Sequence, residues 1–302
     1  MKCPLCKHDK FFIVRKYDFK ILEQQWIKTF SYNPFVNFDT NQKLQKLKCR
    51  HCDLIFYNPG FFGDTDFYEK ISNNNWYYEE NKWEFDRAIE LISQHTPNSL
   101  LEIGSGDGGF LEKVSTAVEY SEGLEINKAA IEKCRSKKLN VSSKKLTEVE
   151  KKFEMIASFE VFEHLDDVSY FVTNSISKLS SNGLLLIAVP NPDGYFKELD
   201  TVLLDLPPHH NLGFSKRTFE FIAKKYDLKM IEYDLEPLRY VHYQLYMNSI
   251  IGYNTSLFGN GIKIKLIKKM KSLIFNFFSP LFFVSDRNHI KGQTHLVVFQ
   301  KN

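Results

Sequence analysis

A dominant charge is absent from this 302-residue chain: 40 basic side chains stand against 37 acidic ones, for a formal net charge of +3. So small a surplus does not call for a nucleic-acid-binding surface across the molecule, although a local basic patch stays open. Long apolar runs are missing too. The greasiest stretch, residues 273–284, is shorter than the ~18–20 residues of a bilayer span, and Asn276 and Pro280 interrupt it. The opening residues, Met-Lys-Cys-Pro-Leu-Cys, form no apolar signal core, so a soluble cytoplasmic protein is expected. Cysteine is sparse, and four of the five fall in two CxxC pairs. That suits metal ligands in a reducing compartment better than a disulfide framework.

What is present is globular: 43% hydrophobic and 25% charged residues argue against wholesale disorder, and the length allows a large domain plus a small one. From residue 98 to 236, short apolar runs alternate with amphipathic segments, the pattern of βαβ units on a parallel sheet. Strands are predicted at Ser99–Ile103, Tyr120–Glu125, Glu154–Phe159, Gly183–Val189 and Leu228–Asp234, with a last one at His295–Gln300. Helices are predicted at Gly109–Val118, Lys128–Lys138, Val168–Leu179 and Ser215–Tyr226, the last with Ser215 as N-cap. Upstream, apolar residues at 85, 88, 89 and 92 mark a helix over Trp83–His95 that Pro97 ends.

Cys3, Cys6, Cys49 and Cys52 have the form of a four-cysteine zinc site, each knuckle presenting two thiolates to one tetrahedral ion. The 42 intervening residues are too many for a compact ribbon, so this loop should carry strands of its own. His8 and His51 are substitute ligands. With no coordination position left open, Zn2+ here would be structural. Cys134 stands apart and reads as a helix-packing residue.

The stretch Leu100-Leu101-Glu102-Ile103-Gly104-Ser105-Gly106-Asp107-Gly108-Gly109 takes an apolar strand into a glycine-rich turn and then a helix. Such a turn lets a ligand approach the main chain, as at the first βα turn of nucleotide-binding folds. Glu125 follows at the end of the next strand, where a carboxylate can accept both hydroxyls of an adenosine ribose. The acid in E-x-G-x-G-x-G separates two ligands. Glu102 would repel a pyrophosphate but suits the cationic methionyl end of S-adenosylmethionine.

At these residues the chain resembles the class I S-adenosylmethionine-dependent methyltransferases, over about residues 98–236 and the last strand. The run Phe153-Glu154-Met155-Ile156-Ala157-Ser158-Phe159-Glu160-Val161-Phe162-Glu163-His164-Leu165 is similar to the family's fourth strand and its exit. Residues 207–211 (PPHHN) with Phe214-Ser215 resemble the pre-helix segment of members acting on sugars and other small acceptors. Residues 52–59 with Trp76-Tyr77-Tyr78 resemble a zinc-binding module fused to some of them. The resemblance implies a Rossmann-like, seven-stranded, mostly parallel α/β sheet with helices on both faces. A zinc-ribbon-like module at 1–70 would precede a 71–302 methyltransferase domain, with a helical insertion at about 238–290. It implies a cofactor site made of Glu102, Gly104, Ser105, Gly106, Gly108, Glu125, Ile126, Phe159 and Glu160. Glu154 replaces the family's usual Asp, and residues 140–150 carry no clear adenine-binding acid, so no adenine contact is assigned.

Methyl transfer is an in-line displacement, and an oxygen nucleophile also needs a base within ~3 Å or one water away. His209 and His210 lie on a loop expected at the carboxyl ends of the strands, as does His164, which could instead cap the helix after the fourth strand. Asp205 is placed to orient an imidazole. Residues 238–285 contain no Asp or Glu; Lys263, Lys265, Lys268, Lys269 and Lys271 precede a phenylalanine-rich run. This segment reads as a lid helix packed on the core, or as a peripheral membrane contact through 263–284 at the inner face of the membrane. The leading expectation is O-methylation of a sugar in a surface glycan or of its nucleotide-linked precursor. A sugar C-methyltransferase, a quinone or lipid O-methyltransferase, and an inactive cofactor-binding scaffold are the alternatives. A nucleic-acid partner is disfavoured, and oligomeric state is not legible.

Overall fold

The alternation of apolar runs and amphipathic segments closes, in the computed structural model, into a seven-stranded sheet with helices on both faces. The structure describes residues 1–74, 77–79, 81–195, 202–248, 280–281, 283–285, 287 and 289–302. The N-terminal part holds β1 (Phe11–Asp18), α1 (Phe19–Phe30), β2 (Lys43–Cys49), β3 (Ile55–Asn58) and α2 (Thr65–Ser72). Then come α3 (Trp83–His95), β4 (Ser99–Ile103), α4 (Gly109–Val114), β5 (Tyr120–Leu124), α5 (Lys128–Ser136), β6 (Val141–Ser142) and β7 (Phe153–Phe159). The chain finishes with α6 (Val168–Lys178), β8 (Leu179–Pro190), β9 (Leu212–Gly213), α7 (Lys216–Lys225), β10 (Leu228–Pro237), α8 (Tyr240–Asn248) and β11 (Lys291–Lys301).

The large sheet has the order β10-β11-β8-β7-β4-β5-β6; β11 runs antiparallel to both neighbours, and the pairs from β8 to β6 are parallel. Covered on both sides, its central strands read as near-continuous apolar runs instead of alternating. In β8, Leu185, Ile187 and Val189 join one core while Leu184, Leu186 and Ala188 join the other, following the two-residue period of a strand. The second core is covered by α3, α4 and α5, and the first by α6 and α7. Ser215 caps α7 as expected, accepting a hydrogen bond from the Thr218 amide. The helix expected over 109–118 ends at Val114, where Ser115 turns its hydroxyl back onto the Glu112 carbonyl, a local bond that competes with continued helix.

The loop between the cysteine pairs does form its own strands, and they build a second sheet of order β1-β2-β3-β9. Its last strand is borrowed. Leu212 and Gly213, from the stretch between β8 and α7, pair antiparallel with Phe56 and Ile55. A Cβ on Gly213 would stand 3.2 Å from that of Ile55, a tight contact at the point where the strands meet. Cys3, Leu5, Cys49, Cys52, Leu54 and Phe56 belong to the same core cluster as Phe162, Phe171, Phe214 and Phe219. Two further bonds fasten this junction: the Trp26 indole N–H donates to the Pro207 carbonyl at 3.2 Å, and the Tyr57 hydroxyl to that of Asp205 at 3.3 Å.

Residues 249–279, which carry the lysines and most of the phenylalanines of the expected lid or membrane contact, lie outside the described residues, as do Trp76 and Phe282. Among the described residues, Phe283 packs on Tyr240 and Tyr243. No described helix is long and apolar enough to cross a membrane. Trp26→Phe keeps most of the ring packing but orphans a buried carbonyl. Urea unfolding should show a loss of about 1–2 kcal/mol, and an unchanged midpoint would remove this bond from the junction.

Candidate active site

The glycine turn leaves β4 at Gly104 and enters α4 at Gly109, and it needs glycine for two reasons. Gly104, Gly106 and Gly108 have positive φ values of 78°, 53° and 84°, a region that side chains disfavour. A Cβ on Gly104 would also lie 2.4 Å from Val161 Cγ2, and one on Gly106 would lie 2.7 Å from the Tyr78 ring. Glu125, just past β5, braces the turn. One carboxylate oxygen accepts from the Gly106 amide at 2.8 Å, and the other from the amides of Ile126 (2.7 Å) and Asn127 (2.8 Å). Beneath, Phe159 packs edge-on to Phe85 and Phe110, at 5.0 and 4.7 Å between centroids.

This turn opens on a cavity of about 980 Å³, and Glu102, Gly104, Ser105, Gly106, Glu125, Ile126, Phe159 and Glu160 of the expected cofactor set all line it. Gly108 is the exception. It faces Cys134 and Leu139 away from the cavity and serves as the left-handed N-cap of α4. Glu102 is only 2% exposed and its Oε2 has no hydrogen-bond partner, so burial holds its carboxyl well above the usual range. Glu160 is raised likewise, by burial and then by neighbouring Glu163, and it sits at φ 55°, a strained value for a side-chain-bearing residue. Lys82 is the basic side chain whose charge opposes these shifts. Buried acids without partners are suited to a cationic ligand, and the bare glycine backbone to a close-lying one. S-adenosylmethionine, positive at its amino group and sulfur, fits this donor and acceptor set.

The other half of the cavity is aromatic and imidazole-rich. His164 ends a short 3-10 turn (Phe162–His164) after β7, and His209 and His210 precede β9. The His209 and His210 rings stack at 4.4 Å between centroids, and His164 meets His209 at 4.7 Å. All three line the cavity, together with Tyr68, Tyr77 and Asp205. Each ring commits its Nδ1. That of His164 bonds the His209 carbonyl, that of His209 the Leu204 carbonyl at 2.8 Å, and that of His210 the Asp205 carboxylate at 3.2 Å. Asp205 thus orients an imidazole as the sequence suggested. His164 does not cap the following helix; Asp167 does, because it stands one residue before α6 while His164 is turned inward. Burial lowers His164 to about 3 and carries His209 well below its usual value, so both rings are neutral. Burial raises Glu163, which lies against the cluster, to about 7.

The four cysteines come together at the edge of the small sheet. Cys3 and Cys52 sulfurs are 3.5 Å apart, those of Cys6 and Cys49 3.4 Å, and all four lie within 4.8 Å of one another. An ion with ~2.3 Å bonds to sulfur would set tetrahedral sulfurs ~3.8 Å apart, so the set could hold Zn2+. His8 and His51 stack on each other at 5.3 Å and lie outside the four-sulfur set. Cys134 is buried in the α3–α5 core, where burial raises it to about 11, and its Sγ–H donates to the Gly106 carbonyl at 3.4 Å.

Sequence reasoning missed the cover over the glycine turn. Tyr78 lies against Gly106, and Asn127 ties it to α2, donating to the Ser72 hydroxyl at 2.8 Å and the Tyr78 hydroxyl at 3.4 Å. Lys82 and Tyr68 were missed as well. The only signal was the aromatic run at 76–78, which by itself says nothing about what it covers. Replacing Gly104 with Ala should cost about 1–3 kcal/mol through the left-handed backbone alone, with the Val161 clash added; thermal unfolding checks this, and a wild-type melting point would refute the reading of the turn.

A comparison with protein families falls on the same residues. Residues 76–233 match a family model described as a methyltransferase domain. A ubiquinone biosynthesis O-methyltransferase of Pelagibacter ubique is 32% identical over 100 residues, which cover 30% of this chain and 42% of that protein. The chain therefore spans less than half the length of that curated relative. A SAM-dependent methyltransferase from Archaeoglobus fulgidus covers 72% of this chain and 94% of its own, at 16% identity and a TM-score of 0.46. The N-methyltransferase NodS of Bradyrhizobium japonicum, in complex with S-adenosyl-L-homocysteine, covers 77% and 95% at 16% identity and a TM-score of 0.46. Because the family match takes in more than half of the 302 residues, including the strands that carry the glycine turn, the chain belongs to the methyltransferase-domain family.

Proposed function

We propose that the protein is an S-adenosylmethionine-dependent O-methyltransferase acting on a small hydroxylated acceptor, with a sugar of a surface glycan or its nucleotide-linked precursor as the leading class. The observation that carries this reading is one cavity that joins partnerless Glu102 and the Glu125-braced glycine turn to a cluster of three imidazoles. When bound, the cofactor supplies a methyl group already activated by positive sulfur. Glu102 faces its amino end, Glu125 takes the ribose hydroxyls, and Gly104 to Gly106 let the main chain approach it. Ser105, Ile126, Phe159 and Glu160 complete that half. The acceptor lies against Tyr68 and the His164, His209 and His210 cluster, where its hydroxyl proton is drawn off.

A second reading, a quinol or lipid O-methyltransferase, is favoured by the Pelagibacter relative and by the aromatic lining at Tyr68 and Tyr77. Methyl transfer from labelled cofactor to nucleotide sugars or to catechol-type quinols separates the two. Failure with both, despite cofactor binding, would turn the assignment towards a non-catalytic scaffold. Glu125→Ala should weaken S-adenosylmethionine binding by about 2 kcal/mol, roughly 30-fold, in calorimetric titration, since it loses both ribose contacts and the brace on Gly106. Equal affinity would remove Glu125 from the site.

Zn2+ is held by Cys3, Cys6, Cys49 and Cys52 as a structural ion. Its role is to fix the small sheet that carries β9 and so the residues just before it. Cys49→Ser should remove one equivalent of zinc per chain by elemental analysis and lower the melting temperature; undiminished zinc would sink the assignment.

A further inference from the structure

The three imidazoles do more than stand beside one another. One ring nitrogen from each of His164, His209 and His210 lies within 4.8 Å of the other two. Every Nδ1 is already bonded to a carbonyl or carboxylate oxygen, which leaves the Nε2 atoms as the nitrogens available to a ligand. The Nε2 of His209, a residue 8% exposed, has no hydrogen-bond partner. Glu163 is 1% exposed, neither of its oxygens has a hydrogen-bond partner, and its Oε1 stands 3.8 Å from the Nε2 of both His164 and His210. Lone pairs and a carboxylate gathered out of water repel one another unless positive charge sits among them.

From this we infer a divalent metal site of the first transition row, with His164, His209 and His210 as nitrogen ligands through Nε2 and Glu163 as the oxygen ligand. The Nδ1 bonds are the outer contacts that ligating histidines make, each fixing a tautomer and aiming the opposite nitrogen at the ion. Three imidazoles select a borderline cation such as Fe2+, Co2+ or Zn2+ over Mg2+ or Ca2+, which take oxygen ligands. Nitrogens ~2.1 Å from an ion stand little more than ~3 Å apart, so the rings draw together on binding. Four protein ligands on a six-coordinate ion leave two positions for oxygens of water or of an acceptor in the same cavity. Asp205, bonded to His210 Nδ1, is a positioning residue for this site.

The site is distinct from the four-cysteine cluster, and its test needs neither cofactor nor acceptor. Co2+ is titrated into full-length protein carrying one equivalent of Zn2+, which the thiolates take first. Visible d–d bands should grow to one Co2+ per chain without the near-ultraviolet sulfur-to-cobalt band of a thiolate site. His210→Ala should weaken this binding by at least ~100-fold, and Asp205→Asn, which touches no ligand atom of the ion, by ~10-fold or more. Both side chains are partly exposed, and unchanged far-ultraviolet circular dichroism confirms that each variant is folded. Millimolar Co2+ giving no nitrogen-type bands in the wild type, or bands of equal affinity in both variants, would overturn the inference. Co2+ appearing only with a thiolate band would overturn it as well.

Discussion

A two-residue antiparallel pairing, Leu212 and Gly213 against Phe56 and Ile55, is the constraint on which the acceptor half of the cavity depends. Without it, the stretch around His209 and His210 would keep only single bonds, such as that of the Asn211 amide to the Glu163 carbonyl. With it, the stretch becomes the fourth strand of the cysteine-bearing sheet. The Trp26 and Tyr57 bonds to the Pro207 and Asp205 carbonyls then clamp the residues just before the two histidines. The N-terminal segment therefore shapes the site, and the shared core of Cys3, Cys49, Phe162 and Phe214 extends that grip through hydrophobic packing.

The opposite half is built by local means. Strand β4, the glycine turn and α4 are contiguous, and Glu125 needs only β5 to bring its carboxylate to the Gly106 amide. This difference explains what could be read from the chain. The turn, its leading acid and its brace lie within one βαβ unit, so spacing alone places Glu102, Gly104, Gly106 and Glu125 together. The same alternation marks six of the seven strands but not the two-residue β6, and the seven-stranded sheet was implied by the family resemblance. Even there Gly108 was misplaced, because a run of glycines does not tell which of them faces the ligand and which merely turns the backbone.

The acceptor half was legible only as a set of residue types. His164, His209 and His210 could be put at the carboxyl edge of the sheet, but a strand of two residues has no periodicity to detect. Neither the pairing of β9 with β3 nor the Nδ1 bonds that aim the rings are encoded in local pattern. Tyr68 and Tyr78 belong to the same class of omission: they reach the cavity through tertiary contact with His164 and Gly106.

Burial gives the two halves the same electrical need within one cavity. Around the glycine turn it disfavours the ionised forms of Glu102 and Glu160, a penalty that a bound cationic ligand relieves. Around the imidazoles it strips protons from His164 and His209 and leaves lone pairs facing a carboxylate. Lys82, acting at a distance, is too little positive charge to satisfy both. The fold thus concentrates unmet demand for positive charge at two adjacent points, and the spacing between them is set by β4, β7 and the borrowed strand rather than by any flexible side chain.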